Sequence, residues 1–276
     1  MTPVWSSFLF LFPAPPLPAP PSELWQAERV AYAFVIAGEI ALLGKLYWSR
    51  LAAVYPWFST FIGFQLARSL VLYWVSPKKT VYGWIWVPTE LAAWILCYCV
   101  VFELYSKVLE SYPGIRRLTQ WVLAAAAVVC LGVAGATLAL DFSAPSSPYP
   151  ILHAVNVVRR GAASTALLFL LAMLGYLAWY PVSLKRNLAA HAALNTLYCL
   201  VITLGVFCRN IIGPEFARSL SLALGVATAA FLWSWVLLFS REGENQTTVT
   251  AVLWSRRDEV RLLGQLEAIN RALTNR

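Results

Sequence analysis

Charged residues are scarce in this chain. Asp, Glu, Lys and Arg together make up 12% of its 276 residues, whereas hydrophobic residues make up 60%. A soluble domain carries roughly 25% charged residues. The composition therefore excludes an ordinary soluble domain and places the chain in a membrane.

Motifs of the common catalytic and metal-binding sites are also missing from the sequence. The five cysteines show no CxxC spacing. His153 and His191 fall at opposite membrane faces, so they cannot share a metal or a haem. No HExxH, GxSxG or nucleotide-binding loop occurs, and the last apolar run has no lysine for a retinal Schiff base. The sequence predicts no enzyme, no metal and no cofactor.

Seven apolar runs are each long enough to cross a bilayer, which takes about 20 residues for ~30 Å of hydrocarbon. Because hydrocarbon offers the backbone no hydrogen-bond partner, the runs should be helices. They are Ala27–Trp48, Trp57–Val75, Val81–Tyr105, Leu118–Leu140, Ile151–Tyr180, Leu188–Ile212 and Ala217–Phe239. We predict an all-α polytopic membrane protein with one seven-helix bundle over residues 25–240. A Pro-rich extracytoplasmic leader, 1–24, precedes it, and a cytoplasmic amphipathic tail, 241–276, follows.

Positive charge in the short loops predicts the orientation, because cytoplasmic loops carry an excess of Lys and Arg. One side of the membrane receives Lys45, Arg50, Lys107, Arg116, Arg117, Lys185, Arg186 and the arginines of the tail. The opposite side receives Arg29, Lys78, Lys79 and Arg218. We therefore predict an N-terminus outside and a C-terminus in the cytoplasm, in a cell inner membrane. Attraction to the anionic inner leaflet accounts for the net charge of +8 without nucleic acid.

Several ionisable residues lie within the predicted spans, where each costs at least ~2.5 kcal/mol on insertion scales and normally faces a partner in the bundle. Arg68 and Glu90 lie at similar distances from the Ser76–Thr80 turn, so they should pair. We predict a buried polar cluster reached from the outer face. Its members are Glu39, Gln65, Arg68, Glu90, Asn156, Arg159, Arg160 and Arg209.

This cluster has three possible roles. Its charges pair to fix helix register, they bind a ligand, or they relay a proton or an ion. Three arginines against two glutamates leave one positive charge, and Arg209 adds a second. A cavity of that sign favours an anionic ligand, such as a carboxylate or a lipid headgroup, held by guanidinium groups.

The segment after residue 240 is charged and predicts an amphipathic helix between Val249 and Leu273. Its apolar residues recur at four-three-four spacing, which is typical of one helix face. The residues that carry this prediction are Arg256, Arg257, Arg261, Leu262, Leu266, Ile269 and Leu273. The helix is expected to lie on the inner leaflet through its arginines, to self-associate, or to bind a cytoplasmic partner.

Short motifs along the bundle also suggest a resemblance. They are Tyr55-Pro56-Trp57-Phe58, Arg68, Glu90, Phe102-Glu103, Tyr112-Pro113, Arg116-Arg117 and Arg159-Arg160. In these the chain resembles small multi-spanning membrane proteins of soil bacteria, notably acidobacteria. The resemblance implies a bacterial inner membrane and brings no activity with it. The Pro-rich leader and the basic tail lie outside this likeness.

Two classes of function fit these features. One is a non-enzymatic receptor-like protein or scaffold that binds a ligand from outside and communicates through its tail. The other is a carrier of an anionic or lipid solute, which predicts discontinuous helices and a cavity alternating between faces. A structural subunit of a membrane complex remains a further alternative. The expected partners are the lipid bilayer, an anionic small molecule or lipid, and a second copy or a cytoplasmic protein at the tail.

Overall fold

The computed structural model describes residues 22–75, 80–117, 150–179, 183–212, 217–249 and 256–274, with isolated positions between 119 and 132. The leader up to residue 21 and most of the fourth predicted span lie outside the described residues. Within the described part, the chain is helical apart from two three-residue strands and short turns.

The longer helices follow six of the seven apolar runs closely, which confirms that these six are helical. In chain order they are α1 (Ser22–Trp48), α2 (Leu51–Val54), α3 (Pro56–Trp74), α4 (Thr80–Val108), α5 (Pro150–Trp179), α6 (Arg186–Ile212), α7 (Ala217–Leu238) and α8 (Arg256–Thr274). Strand β1 (Ser183–Lys185) precedes α6. A 3-10 turn (Glu242–Glu244) and strand β2 (Thr247–Val249) lie between α7 and α8.

Five of these helices are long and apolar enough to cross a membrane. Their apolar stretches are Gln26–Trp48, Gly83–Val108, Gly161–Trp179, Arg186–Gly205 and Ser219–Leu238. An all-α fold compatible with a membrane is thus supported, while the predicted number of seven spans is not confirmed. Helix α3 has 19 residues, among them Gln65 and Arg68, and is not one of these five. The fourth predicted span falls largely outside the described residues.

Six helices form a ring. Helix α1 contacts α3, α3 contacts α4, α4 contacts α5, α5 contacts α6, α6 contacts α7, and α7 returns to α1. Most of these contacts join helices that are linked by short connections. The exceptions are the α4–α5 contact, where residues 109–149 intervene, and the α1–α7 contact, which closes the ring. Gly38 allows this approach, because a Cβ there would lie 3.1 Å from Cβ of Leu232.

The start of α3 shows why the Tyr55-Pro56 dipeptide ends one helix and begins another. Proline fits the first helical position, because its missing N–H would have no partner there anyway. The next two N–H groups, of Trp57 and Phe58, donate to the Glu103 carboxylate at 3.3 and 3.1 Å. A carboxylate at a helix N-terminus is favourable for the helix dipole. Glu103 thereby fastens α3 to α4.

The segment after α7 folds back against the bundle. Strand β2 pairs antiparallel with β1, with Leu184 opposite Thr248 and Ser183 opposite Val249. This differs from the prediction of a helix-prone segment starting at Val249. Val249 belongs to the strand, and α8 begins at Arg256.

Helix α8 contacts the connection that follows α4. The N–H of Gly114 donates to Oδ1 of Asn270 at 2.8 Å, and Leu266 is buried. Leu262 and Leu273 are half-buried, whereas Arg261 and Ile269 are exposed. The side chains of Arg256 and Arg257 lie outside the description. The predicted apolar stripe therefore faces the protein for the most part, with Ile269 at its edge.

Candidate functional site

A cavity of about 140 Å³ lies inside the ring. All six helices of the ring contribute to its walls. The polar side chains among the lining residues are Glu39, Gln65, Arg68, Ser69, Glu90, Trp94, Arg159, Tyr198, Ser221 and Thr228. Its volume is close to that of a cavity of ~150 Å³ that takes up benzene. A small organic ligand therefore matches its size.

Glu90 is the centre of the charged cluster in this cavity. Its Oε2 pairs with Nη2 of Arg68, and its Oε1 lies 3.3 Å from Nε of Arg159. Trp94, one turn further along α4, donates its indole N–H to the same Oε1 at 3.2 Å. Because charges buried away from water need partners, two guanidinium groups and an indole hold this carboxylate in place.

Arg159 is less completely engaged than Glu90. Its contact with Glu90 is through Nε, and its side chain is 13% exposed. The described residues give it no other ion pair or hydrogen bond. Arg159 lines the cavity, and the described residues give its two terminal amino groups no ion pair or hydrogen bond. Such a planar pair of donors is suited to a carboxylate.

Glu39, which lies on α1, contributes a hydrogen-bond acceptor to the cavity, whereas Arg159 contributes donors. Glu39 is 5% exposed and interacts with the side chain of Ser69 and the charge of Arg68. Its Oε2 is buried and receives no hydrogen bond from the residues that the structure describes. Leaving a buried acceptor without a donor costs free energy. A ligand in the cavity that donates a hydrogen bond to this oxygen would remove that cost.

The structure brings together five of the eight residues predicted for the cluster. Glu39, Gln65, Arg68, Glu90 and Arg159 all line the cavity, and the predicted Arg68–Glu90 pair is present. The side chains of Asn156, Arg160 and Arg209 lie outside the description, although their backbones belong to α5 and α6. The described charges are two arginines and two glutamates, so they cancel.

Several lining residues were not predicted. On α4, Ala93, Trp94 and Cys97 follow Glu90 at three, four and seven positions, which is the spacing of a single helix face. That spacing was a usable signal once Glu90 was chosen. On α6, Tyr198 and Ile202 line the cavity. No periodic signal singled out Ser221 or Thr228 on α7.

A metal site is not formed by the described residues, where no group of three or more His, Cys, Asp or Glu side chains comes together. Cys97 on α4 and Cys199 on α6 both line the cavity, and their thiol groups interact with each other. The cysteines in the described part of the chain are free thiols.

The other end of the ring is closed by a network around Glu244, which the sequence did not predict. Tyr55 donates its hydroxyl to Oε1 of Glu244 at 2.8 Å, and the Asn187 amide donates to the same oxygen at 3.0 Å. Lys185 lies 3.4 Å from Oε2. Burial, and then the bond to Glu244, raise the pKa of Tyr55 above its usual value. Tyr55 therefore stays protonated and remains a donor.

Asn187 fixes the backbone of the same segment. Its amide donates to the carbonyl of Ser240 at 2.7 Å and accepts from the N–H of Ser240 at 3.3 Å. We call Tyr55, Asn187, Ser240 and Glu244 the latch. Gly243 is buried against it, and a Cβ on Gly243 would lie 2.9 Å from Cγ of Asn187. Only glycine fits the latch at that position.

His191 forms a floor between the latch and the cavity. It is fully buried, and its ring lies among those of Tyr55, Phe58, Trp235 and Phe239. The indole N–H of Trp235 donates to Nδ1 of His191 at 3.2 Å. Nδ1 of His191 therefore acts as a hydrogen-bond acceptor. An aromatic layer thus separates the cavity from the latch.

Comparisons with protein-family models, with curated proteins and with solved structures give no match for this chain. The resemblance to small acidobacterial membrane proteins therefore stays an expectation. The function has to be inferred from the cavity and its surroundings.

Proposed function

We propose that this chain is a non-enzymatic, receptor-like membrane protein that binds a small ligand with an acidic group in the cavity between its helices. The observation that carries the proposal is the convergence of six helices on one cavity whose wall holds a charged cluster, in which the described residues leave the terminal amino groups of Arg159 unbonded. The fork of a guanidinium group matches a carboxylate or a phosphate. Phe61, Ile202 and Leu224 supply apolar walls for the rest of the ligand.

We further propose the finer topology that the sequence predicts. Five helices would cross the membrane together with α3 and the segment Leu118–Leu140, which gives seven spans. The N-terminus would lie outside and the tail in the cytoplasm of a bacterial inner membrane, where α8 could meet a partner. Positive charge in the loops at the latch end supports this orientation.

Closure of the latch end favours a receptor over a carrier. The aromatic layer around His191 and the latch lie between the cavity and the predicted cytoplasm. A carrier is expected to have discontinuous helices near its substrate. Pro88, two residues before Glu90, is the strongest breaker in that region, yet α4 continues through it from Thr80 to Val108.

Thiol labelling tests this proposal. Cys97 lines the cavity, whereas Cys99 on the same helix does not, so Cys99 is a matched control. Each is kept as the single cysteine, with the other four cysteines replaced by serine. A small membrane-impermeant thiol reagent is then added to whole cells and, separately, to inverted membrane vesicles.

We expect Cys97 to react from the outer face and to stay unreactive from the inner face. Labelling of Cys97 from both faces would contradict the receptor-like function and support the carrier. Failure to label Cys97 from either face, together with full labelling after unfolding, would show that the cavity is closed to both faces. That result would support a structural subunit. Equal labelling of Cys97 and Cys99 would mean that the reagent does not report on the cavity.

A further inference from the structure

The cavity offers two unsatisfied groups of opposite character. Arg159 has donors that no described residue uses, and Glu39 has a buried acceptor, Oε2, that no described residue meets. Both side chains line the same cavity, on α5 and α1. A ligand that satisfies both must carry an acceptor and a donor.

Glu90 does not compete for such a ligand. Both of its oxygens are occupied, by Arg68, Arg159 and Trp94. The arrangement therefore separates a structural carboxylate, Glu90, from an available carboxylate, Glu39. Arg68 is paired with Glu90, so among the described side chains of the cavity Arg159 is the cation with donors left for a ligand.

The charge balance points in the same direction. The two arginines and two glutamates described in the cavity cancel, and burying a net charge in a poorly solvated site is expensive. A ligand with one negative and one positive group keeps the site neutral. A simple anion does not.

We propose that the ligand is a small zwitterion with a carboxylate for Arg159, an ammonium group for Glu39 and an apolar remainder. The remainder would lie against Phe61, Ile202 and Leu224, in a space comparable to that which takes up benzene. Free amino acids with apolar side chains belong to this chemical class. This inference rests on the proposed function, since it specifies the ligand of the same cavity.

Matched probes test the inference on the purified full chain in lipid nanodiscs. Apolar amino acids form one set, each compared with the acid that lacks the ammonium group and the amine that lacks the carboxylate. For leucine these are 4-methylpentanoate and 3-methylbutylamine. Calorimetry gives the affinities, and we expect at least one amino acid to bind roughly ten- to a hundredfold more tightly than either analogue, since each lost charge-assisted bond costs about that factor.

Two variants then assign the groups. Glu39→Gln should remove the preference for an amino acid over its acid analogue, and Arg159→Gln should weaken the amino acid and the acid alike. Thr89→Val is the control, because Thr89 lies beside Glu90 but bonds to the carbonyls of Ile85 and Trp86 in its own helix. The comparison of probes on the unsubstituted protein does not depend on any variant folding.

The outcomes separate the two proposals. If acids without an ammonium group bind as tightly as the amino acids, and lose affinity in Arg159→Gln alone, the zwitterion is wrong and the proposed acid-binding function stands. If amines bind best, the role given to Arg159 is wrong. If no probe of the three sets binds to the folded protein, both proposals are overturned.

Discussion

The two ends of the helix ring hold their buried polar groups in different ways. At the latch end, Oε1 of Glu244 accepts hydrogen bonds from Tyr55 and Asn187, and its buried Oε2, which accepts no hydrogen bond, is paired with the charge of Lys185 at 3.4 Å. Asn187 also bonds to the backbone of Ser240. In the cavity, Glu90 is equally well bonded, yet Glu39 and Arg159 each keep a polar group that the described residues do not satisfy.

This difference separates structure from function within one bundle. A buried polar group is normally hydrogen-bonded, so an acceptor and donors that the described residues leave unbonded around one cavity point to a ligand there. At the latch end, the polar groups have bonded or charged partners within the chain. The cavity has the bonding of a site that is completed by a ligand. Four tests address the difference, and the largest expected effect comes first.

Replacement of Glu90 by leucine should have the largest effect on stability. It leaves Arg68 and Arg159 without their shared carboxylate, and removing one partner of a buried ion pair costs about 3–5 kcal/mol. Denaturant unfolding in detergent, followed by tryptophan fluorescence, measures the loss. Glu110→Leu is the control at an exposed glutamate. A loss no larger than that of the control would show that the ion pairs do not stabilise the bundle.

Asn187→Ala should open the latch. The substitution removes three hydrogen bonds to Ser240 and Glu244 and should cost about 2–3 kcal/mol, because it leaves partners unsatisfied. Asn245→Ala, at an exposed position in the same segment, is the control. We also expect Cys97 to become reactive toward a thiol reagent added at the latch end. Unchanged reactivity would assign the closure to the aromatic layer around His191 alone.

Gly114→Ala should release α8 from the bundle. A Cβ on Gly114 would lie 2.6 Å from the carbonyl oxygen of Asn270, too close for a backbone atom that cannot turn aside. The expected cost is about 1–2 kcal/mol, with faster tryptic cleavage at Arg261 and Arg271. Gly264→Ala is the control, since a Cβ there meets nothing within 4 Å and should strengthen the helix by about 1 kcal/mol. Equal cleavage of both variants would contradict the docking of α8.

Tyr55→Phe should have the smallest effect, about 1 kcal/mol for one hydrogen bond, and a distinctive pH dependence. The folded protein raises the pKa of Tyr55 above its ordinary value of 10.0. Stability tied to its proton is therefore complete below about pH 10 and is lost as the pH rises further. The variant should lose less stability than the unsubstituted protein as the pH rises above about 10. Tyr47→Phe, at an exposed tyrosine, should leave the pH dependence unchanged.

Sequence reasoning found much of the cavity for a simple physical reason. A charge in hydrocarbon is expensive, so Glu39, Arg68, Glu90 and Arg159 stood out wherever they occurred. Equal spacing from one turn was enough to pair Arg68 with Glu90. The same reasoning could not predict which carboxylate, that of Glu39 or that of Glu90, would have partners for both of its oxygens. That depends on side-chain rotamers and on Trp94.

The latch escaped prediction because its residues are far apart in the sequence. Tyr55 and Glu244 are separated by 189 positions, and no helical or strand periodicity links them. Strands of three residues, such as Ser183–Lys185, are too short to show an alternating pattern. Asn187 gave no local signal either, since an amide next to a basic loop is ordinary at a membrane surface.

The short β1–β2 sheet makes the cost of trimming the C-terminus depend sharply on where the cut falls. Strand β1 runs into α6 without an intervening residue, and the N–H of Arg186 donates to the carbonyl of Gln246 at 2.9 Å. Ending the chain at residue 250 would discard α8 and spare the sheet. Ending it at residue 239 would leave Asn187 and Tyr55 facing solvent. The aromatic layer around His191 would then lose the latch segment that covers it.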